Sequence, residues 1–208
     1  MRITLVLLLL SISEVHPFAP RKGHGIPTLL HAGFEETGST SKGLVASLTS
    51  LVNTMMGKEA KNVVVPPTPS SRDELFTRIQ SDYNEKNYLW TGDIDLGCFD
   101  EQCRFTDPTL SFEGRDQFVR NLANLRPLVD ALVSDGRSDL LEASLEKDYV
   151  QTRWNMVGTL GLPWKPRVDV IGRTKFWYND QNQVYFYDEE WEIPASQALW
   201  QLLRPGDN

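Results

Sequence analysis

The sequence predicts a domain of the α+β class, and three observations carry that prediction. Apolar residues recur at helical spacing as far as Leu125, they alternate with polar residues from Asp139 onward, and turn signals separate the alternating runs. Helices followed by a meander of long strands require those helices to cover one face of the sheet.

Each element has its own signal. Ser71 and Glu74 form a capping-box pattern, and Leu75, Ile79 and Tyr83 follow on one face, which predicts a helix over 72–85. "DIDLGCFDEQCRFTDP" reads as a loop and then a short strand ending at Pro108, because proline cannot continue a sheet ladder. "EGRDQFVRNLANL" supplies a second helix: Phe118, Leu122 and Leu125 share a face, and Asp116 occupies the first turn, where the helix dipole favours an anion. Four strands follow near 139–146, 148–159, 166–178 and 183–193, with "LGLPWKP" and "NDQN" as turn signals, and "SQALWQLL" closes the chain as a short helix.

The N-terminal third has a different character. Residues 1–17 have the outline of a signal peptide: Arg2, an apolar run from Ile3 to Leu10, then small and polar residues. That run is far shorter than the roughly twenty residues of a membrane span, so no span is expected in the mature protein. Residues 18–66 read as a transit-peptide-like leader and Pro-rich linker; the helical spacing of Leu44, Leu48, Leu51, Val52 and Met55 gives an amphipathic helix over 43–56, either as part of the leader or as a docking helix of the mature protein. The order of signal peptide, Phe18-Ala19-Pro20 and a Ser/Thr-rich basic segment resembles the bipartite presequences of algae with complex plastids, such as diatoms. A plastid is therefore the expected address, with secretion as the alternative. The domain is expected to occupy 67–208.

Composition narrows the chemistry. The 208 residues carry a formal net charge of −7, which repels a phosphate backbone and argues against nucleic-acid binding. All three histidines, His16, His24 and His31, fall in the leader, so Ser-His and Cys-His machinery and histidine metal sites are not expected. No cofactor is expected. Cys98 and Cys103 are too few for a disulfide framework and read as small buried hydrophobes, with a redox pair as the alternative.

"FTDPTLSFEGRDQF", "RWNMVGTLGLPWKP" and "NQVYFYDEEWEIP" resemble the plastid and cyanobacterial family called domain of unknown function 2358, within the nuclear transport factor 2-like, or SnoaL-like, superfamily. The resemblance covers nearly all of 72–203. It implies a cone, in which a strongly curved antiparallel sheet wraps around helices and leaves a pocket at the open end. Superfamily members include ketosteroid isomerase, scytalone dehydratase and polyketide cyclases, beside many proteins without catalysis, so the fold does not settle function.

The acidic run in "VYFYDEEWEIP" separates by strand parity. Asp188, Glu190 and Glu192 point the way of Val184 and Phe186, whereas Glu189 shares its face with Tyr185, Tyr187, Trp191 and Ile193. A loop centred on Asp180 and Gln181 pairs Asp188 with Arg173, places Lys175 and Glu190 on diagonals, and sets Glu189 opposite Gly172, which leaves space above it. The outer acids then meet a basic row as surface ion pairs. Glu189, on the face that also carries Phe176, Trp154 and Met156, loses hydration and is the candidate acid/base residue. Trp154, Met156, Phe176, Tyr185, Tyr187 and Trp191 are the candidate ligand-lining residues, and Trp164 is a further possible wall. Arg153 points away from that face and is expected in a surface ion pair. Asp107 is expected to fix a turn, and Arg115 and Asp116 to start a helix.

Three functions fit these readings. One is a plastid protein holding a hydrophobic small molecule, such as a lipid, isoprenoid or pigment derivative, in the cone. Another is an isomerase, cyclase or dehydratase that uses Glu189 with tyrosine hydroxyls. The last is a noncatalytic assembly module that forms a homodimer through an exposed sheet face.

Overall fold

The computed structural model describes residues 64–206. The signal-peptide outline, most of the leader and the amphipathic segment 43–56 lie outside the described residues. Helix α1 spans Arg72–Asn84, the single-turn α2 Tyr88–Thr91, α3 Arg115–Leu132 and α4 Ala195–Leu203. The strands are β1 (Phe99–Thr106), β2 (Ser111–Glu113), β3 (Arg137–Leu145), β4 (Tyr149–Thr159), β5 (Arg167–Tyr178) and β6 (Val184–Trp191).

The cap of α1 departs slightly from the expected box. Ser71 Oγ accepts from the Glu74 N–H at 3.1 Å, but the Glu74 carboxylate reaches back one residue further, to the N–H of Ser70 at 2.8 Å. Leu75, Ile79 and Tyr83 are buried along one face, which packs on β3 and reaches β4. Helix α3 runs past Pro127 to Leu132, longer than the sequence suggests.

All six strands form one curved, unclosed sheet in the order β2-β1-β6-β5-β4-β3. Neighbours pair antiparallel except β1 and β6, which are parallel, so the sheet is mixed. Three register slips bend it, in β1 between Phe99 and Arg104, in β3 at Leu141 and in β6 at Tyr185. Residues Val150, Trp154, Met156, Val168, Val170 and Phe176 form the inner face, and α1, α2 and α3 cover it. Strand β6 stops opposite Gly172, which leaves the first residues of β5 without a strand on that side. There α4 takes over: the Gln201 amide accepts from the Asp169 N–H at 2.9 Å and donates to its carbonyl at 2.8 Å, covering the edge. No helix among the described residues is long and apolar enough to cross a membrane.

Candidate functional site

A hollow of about 30 Å³ opens between α2, the end of β1, β2, α3 and β6. Its walls are apolar, with Leu89, Phe105, Phe112, Phe118 and Leu122, and its polar groups include the oxygens of Tyr88, Tyr187 and Glu189. Phe118 stacks on Phe105 with ring centroids 4.5 Å apart, and Phe105 in turn meets Phe112 at 5.2 Å. The single turn of α2 presents Tyr88. It is possible because Asn87 and Gly92 at its ends both take left-handed backbone, at φ 51° and 68°.

Glu189 is 2% exposed. Tyr187 Oη donates to its Oε2 at 2.5 Å and Trp191 Nε1 donates to its Oε1 at 2.8 Å. Behind them runs a line of hydroxyls: Tyr187 and Tyr88 Oη lie 3.2 Å apart, Tyr88 donates to Tyr83 at 3.0 Å, and Tyr83 meets Thr152 Oγ1 at 2.8 Å. Burial holds the Tyr83, Tyr88 and Tyr187 phenols above the ordinary tyrosine range, and the Glu189 charge pushes all three further the same way. They are therefore neutral hydroxyls at any physiological pH. The arrangement can recognise a polar group in a largely apolar hollow.

The structure redistributes the residues expected to line the pocket. Tyr187 and Glu189 do line the hollow, and Trp191 is half-buried beside Glu189. Trp154, Met156 and Phe176 are packed in the core instead, and Trp154 Nε1 donates to Thr174 Oγ1 at 2.9 Å. The space expected above Gly172 is filled by the Trp154 ring, which a Cβ on Gly172 would meet at 2.5 Å. Tyr185 is 49% exposed, because it is the extra residue of the bulge in β6 and is turned outward. Trp164 lies in the loop between β4 and β5 and donates to the Leu202 carbonyl at 2.8 Å, fastening α4. Sequence reasoning missed Tyr88, Phe105, Phe112 and Leu122 as lining residues. Tyr88 had a signal in the Asn87 and Gly92 that bracket it, but a four-residue helix carries no period.

The pairing on the outer face also shifts by two residues. Asp188 lies opposite Lys175, Glu190 opposite Arg173, and Glu189 opposite Thr174 rather than Gly172. Arg153 forks onto Glu192 at 2.7 and 3.1 Å, and Arg173 reaches the same carboxylate at 3.1 Å. The Arg153 hydrogen bonds hold the Glu192 carboxyl below its ordinary range. Burial, aided by the charge of Glu190, pushes Asp188 up. Asp107 fixes a turn, its Oδ1 accepting from the N–H groups of Thr109 and Leu110, and Arg115 donates to the Phe99 carbonyl at 3.1 Å. Cys98 and Cys103 are free and buried, and burial pushes both thiols up. Among the described residues no group of three His, Cys, Asp or Glu side chains is placed to hold a metal ion.

Several solved structures resemble this one. A protein with a ketosteroid isomerase-like fold from Catenulispora acidiphila, in complex with trimethylamine, is 18% identical; 66% of this chain and 95% of that chain are covered, at a TM-score of 0.43. An NTF2-like protein of unknown function from Burkholderia pseudomallei is 10% identical, with 63% and 97% covered and a TM-score of 0.48. A LEH-like epoxide hydrolase of M. tuberculosis is 14% identical, with 63% and 93% covered and a TM-score of 0.45. At such identities no activity carries over from any of them. No curated protein matches the chain. The sequence profile of one family matches residues 73–187, more than half of the 208-residue chain, so this protein belongs to the family described as uncharacterized conserved protein (DUF2358).

Proposed function

We propose that this protein binds a small hydrophobic molecule with a polar head, and that it does so in a plastid. The observation that carries the binding reading is a carboxyl 2% exposed in the lining of a largely apolar hollow, which Thr106 and Asp107 also border, hydrogen-bonded to a tyrosine that lines the same space. A buried polar group of this kind fixes the orientation of a ligand, while aromatic walls supply contact area. A hollow of about 30 Å³ holds a head group and not a whole ligand of ordinary size. The body of the molecule then lies in the mouth, against Phe112, Phe118 and Leu122. The plastid reading is supported by the order of leader features in residues 1–66.

Native mass spectrometry of the full chain, incubated with an organic extract of plastids, tests the binding reading. One added mass per chain is expected, released by organic solvent and lost in Phe118→Trp, which fills the mouth. A bare protein mass after incubation would contradict it.

A further inference from the structure

The outer face of the sheet carries a second, larger hollow. Its volume is about 290 Å³, close to the lower end of small-molecule sites at roughly 300–1,000 Å³. Six polar side chains line it across four adjacent strands: Glu142 of β3, Gln151 of β4, Arg173 and Lys175 of β5, and Asp188 and Glu190 of β6. Register sets Lys175 opposite Asp188 and Arg173 opposite Glu190, which would give two cross-strand ion pairs. Neither pair forms. Lys175 turns to the Tyr149 ring, its Nζ 5.7 Å from the centroid, and Arg173 reaches past Glu190 to Glu192 at 3.1 Å. Among the described residues, the Asp188, Glu190 and Gln151 side chains are left without a hydrogen bond or an ion pair. Water meets such groups on an open face, but Asp188 is half-buried, and burial followed by the Glu190 charge raises its carboxyl. Charge therefore stands in a fixed order. Two carboxylates lie on β6 with two cations beside them on β5, and Glu142, which Arg153 touches only at 3.7 Å, lies two strand spacings beyond those cations, roughly 10 Å.

We propose that this hollow binds a basic amino acid, with its α-ammonium between Asp188 and Glu190, its α-carboxylate on Lys175 and Arg173, and its side chain crossing Gln151 to bring the terminal cation to Glu142. The site lies on the opposite face of the sheet from the inner hollow and does not depend on a ligand there. A monoamine leaves Glu142 unmet, a diamine sets a like charge against Lys175, and an acidic amino acid sets its side chain against Glu142.

Arginine, agmatine and citrulline test this, because agmatine lacks the carboxylate and citrulline replaces the terminal cation by a neutral group of similar length. Each is titrated into the full chain at low salt and followed by NMR. Arginine is expected to shift the side-chain amide signals of Gln151. Agmatine and citrulline are each expected to bind about threefold to fivefold more weakly, the effect of one exposed ion pair. Glu142→Gln is expected to erase the difference between arginine and citrulline while keeping that between arginine and agmatine, and Asp188→Asn to weaken all three. The Gln151 signals are read in the unmodified protein, so the assignment does not depend on the variants folding. Equal binding of the three probes, shifts confined to residues elsewhere, or no shift at high millimolar arginine overturns the proposal. A dimer in light scattering whose formation shifts the same Gln151 signals without any probe also overturns it, and gives the face to a second copy of the chain.

Discussion

Asp82 lies on the buried side of α1, 3% exposed, where Lys86 Nζ reaches its Oδ1 at 2.7 Å and the Asp95 N–H donates to both carboxyl oxygens. Those partners favour the charge, but burial opposes it more strongly, and the carboxyl is raised from its ordinary 3.8 to about 6. A carboxyl whose folded pKa exceeds its unfolded one binds its proton more readily in the folded state. Its contribution to stability is therefore present below about pH 4 and is lost as pH rises through about 6, up to ~3 kcal/mol at 1.36 kcal/mol per unit. Asp82→Asn, which keeps an acceptor for the Asp95 N–H, should remove that slope. Urea denaturation of both proteins at pH 4 and pH 7 measures it, and parallel pH profiles would refute the assignment. Residues of this kind differ in how well the sequence shows them. Glu189 could be placed because a strand sends alternate side chains to opposite faces and its neighbours are aromatic. Asp82 sits three residues after Ile79, on the apolar stripe of α1, and that single polar position was its only signal. The hydroxyl line from Tyr187 to Thr152 joins β6, α2, α1 and β4 through bonded partners up to 99 positions apart, which no local pattern can bring together.

The strands were legible to within two residues at nearly every end, because period-two alternation survives until a bulge interrupts it. Two exposed apolar side chains in strands, Leu141 and Tyr185, mark where it does. Each is the extra residue of a bulge, in β3 and in β6. In β6 the effect is instructive. The turn from Asn179 to Gln183, with Asn182 left-handed at φ 58°, moves the pairing by one residue, and the bulge at Tyr185 moves it by one more. Two slips cancel in parity, so Tyr187 and Glu189 face inward as alternation predicts, while every cross-strand partner changes. Helix α3 outlasts its expected end because Pro127 does not stop it, and β2, at three residues, is too short to show a period. The pairing also accounts for Gly172. It lies opposite Trp191, with Trp154 Cζ2 at 2.5 Å and the Glu190 carbonyl oxygen at 2.8 Å from where a Cβ would be. Neither the rigid, fully buried ring nor the strand backbone can retreat cheaply. Gly172→Ala should cost about 1–3 kcal/mol by overpacking, read as a lower urea midpoint, and an unchanged midpoint would show that the ring moves.

At the scale of the whole molecule, the proposed plastid reading divides the chain into an address and a fold. The residues just before α1 are tied to the body. The Pro67 carbonyl accepts from Arg78 at 2.8 Å, Gln183 donates to Thr68 Oγ1 and Asn182 to the Pro69 carbonyl, both at 3.3 Å, so this short strap joins α1 to the β5–β6 turn. Arg78 itself forks onto Asp95 through Nε and Nη2, both at 2.8 Å, and through that loop the strap supports the segment leading into β1. The hydrogen bonds of this strap begin at Pro67, and a domain start at about 67 is the expectation from the Pro-rich linker. The apolar stripe over 43–56 is assigned to the leader on this reading rather than to the packed domain. A chain beginning at Val64 is therefore expected to match the full chain in urea midpoint. One beginning at Arg72 loses the strap and the Ser71 cap, which alone contributes about 0.5–2 kcal/mol, and should fall below both. The complementary half of the same prediction is that residues 1–63, fused to a fluorescent reporter in a diatom, carry it into the plastid. A reporter that is secreted would replace the plastid reading with the extracellular one, and a lowered midpoint for the Val64 chain would move the boundary into the leader. The two outcomes are independent, because an address is read by receptors on an extended segment whereas stability depends on what the strap and the caps touch.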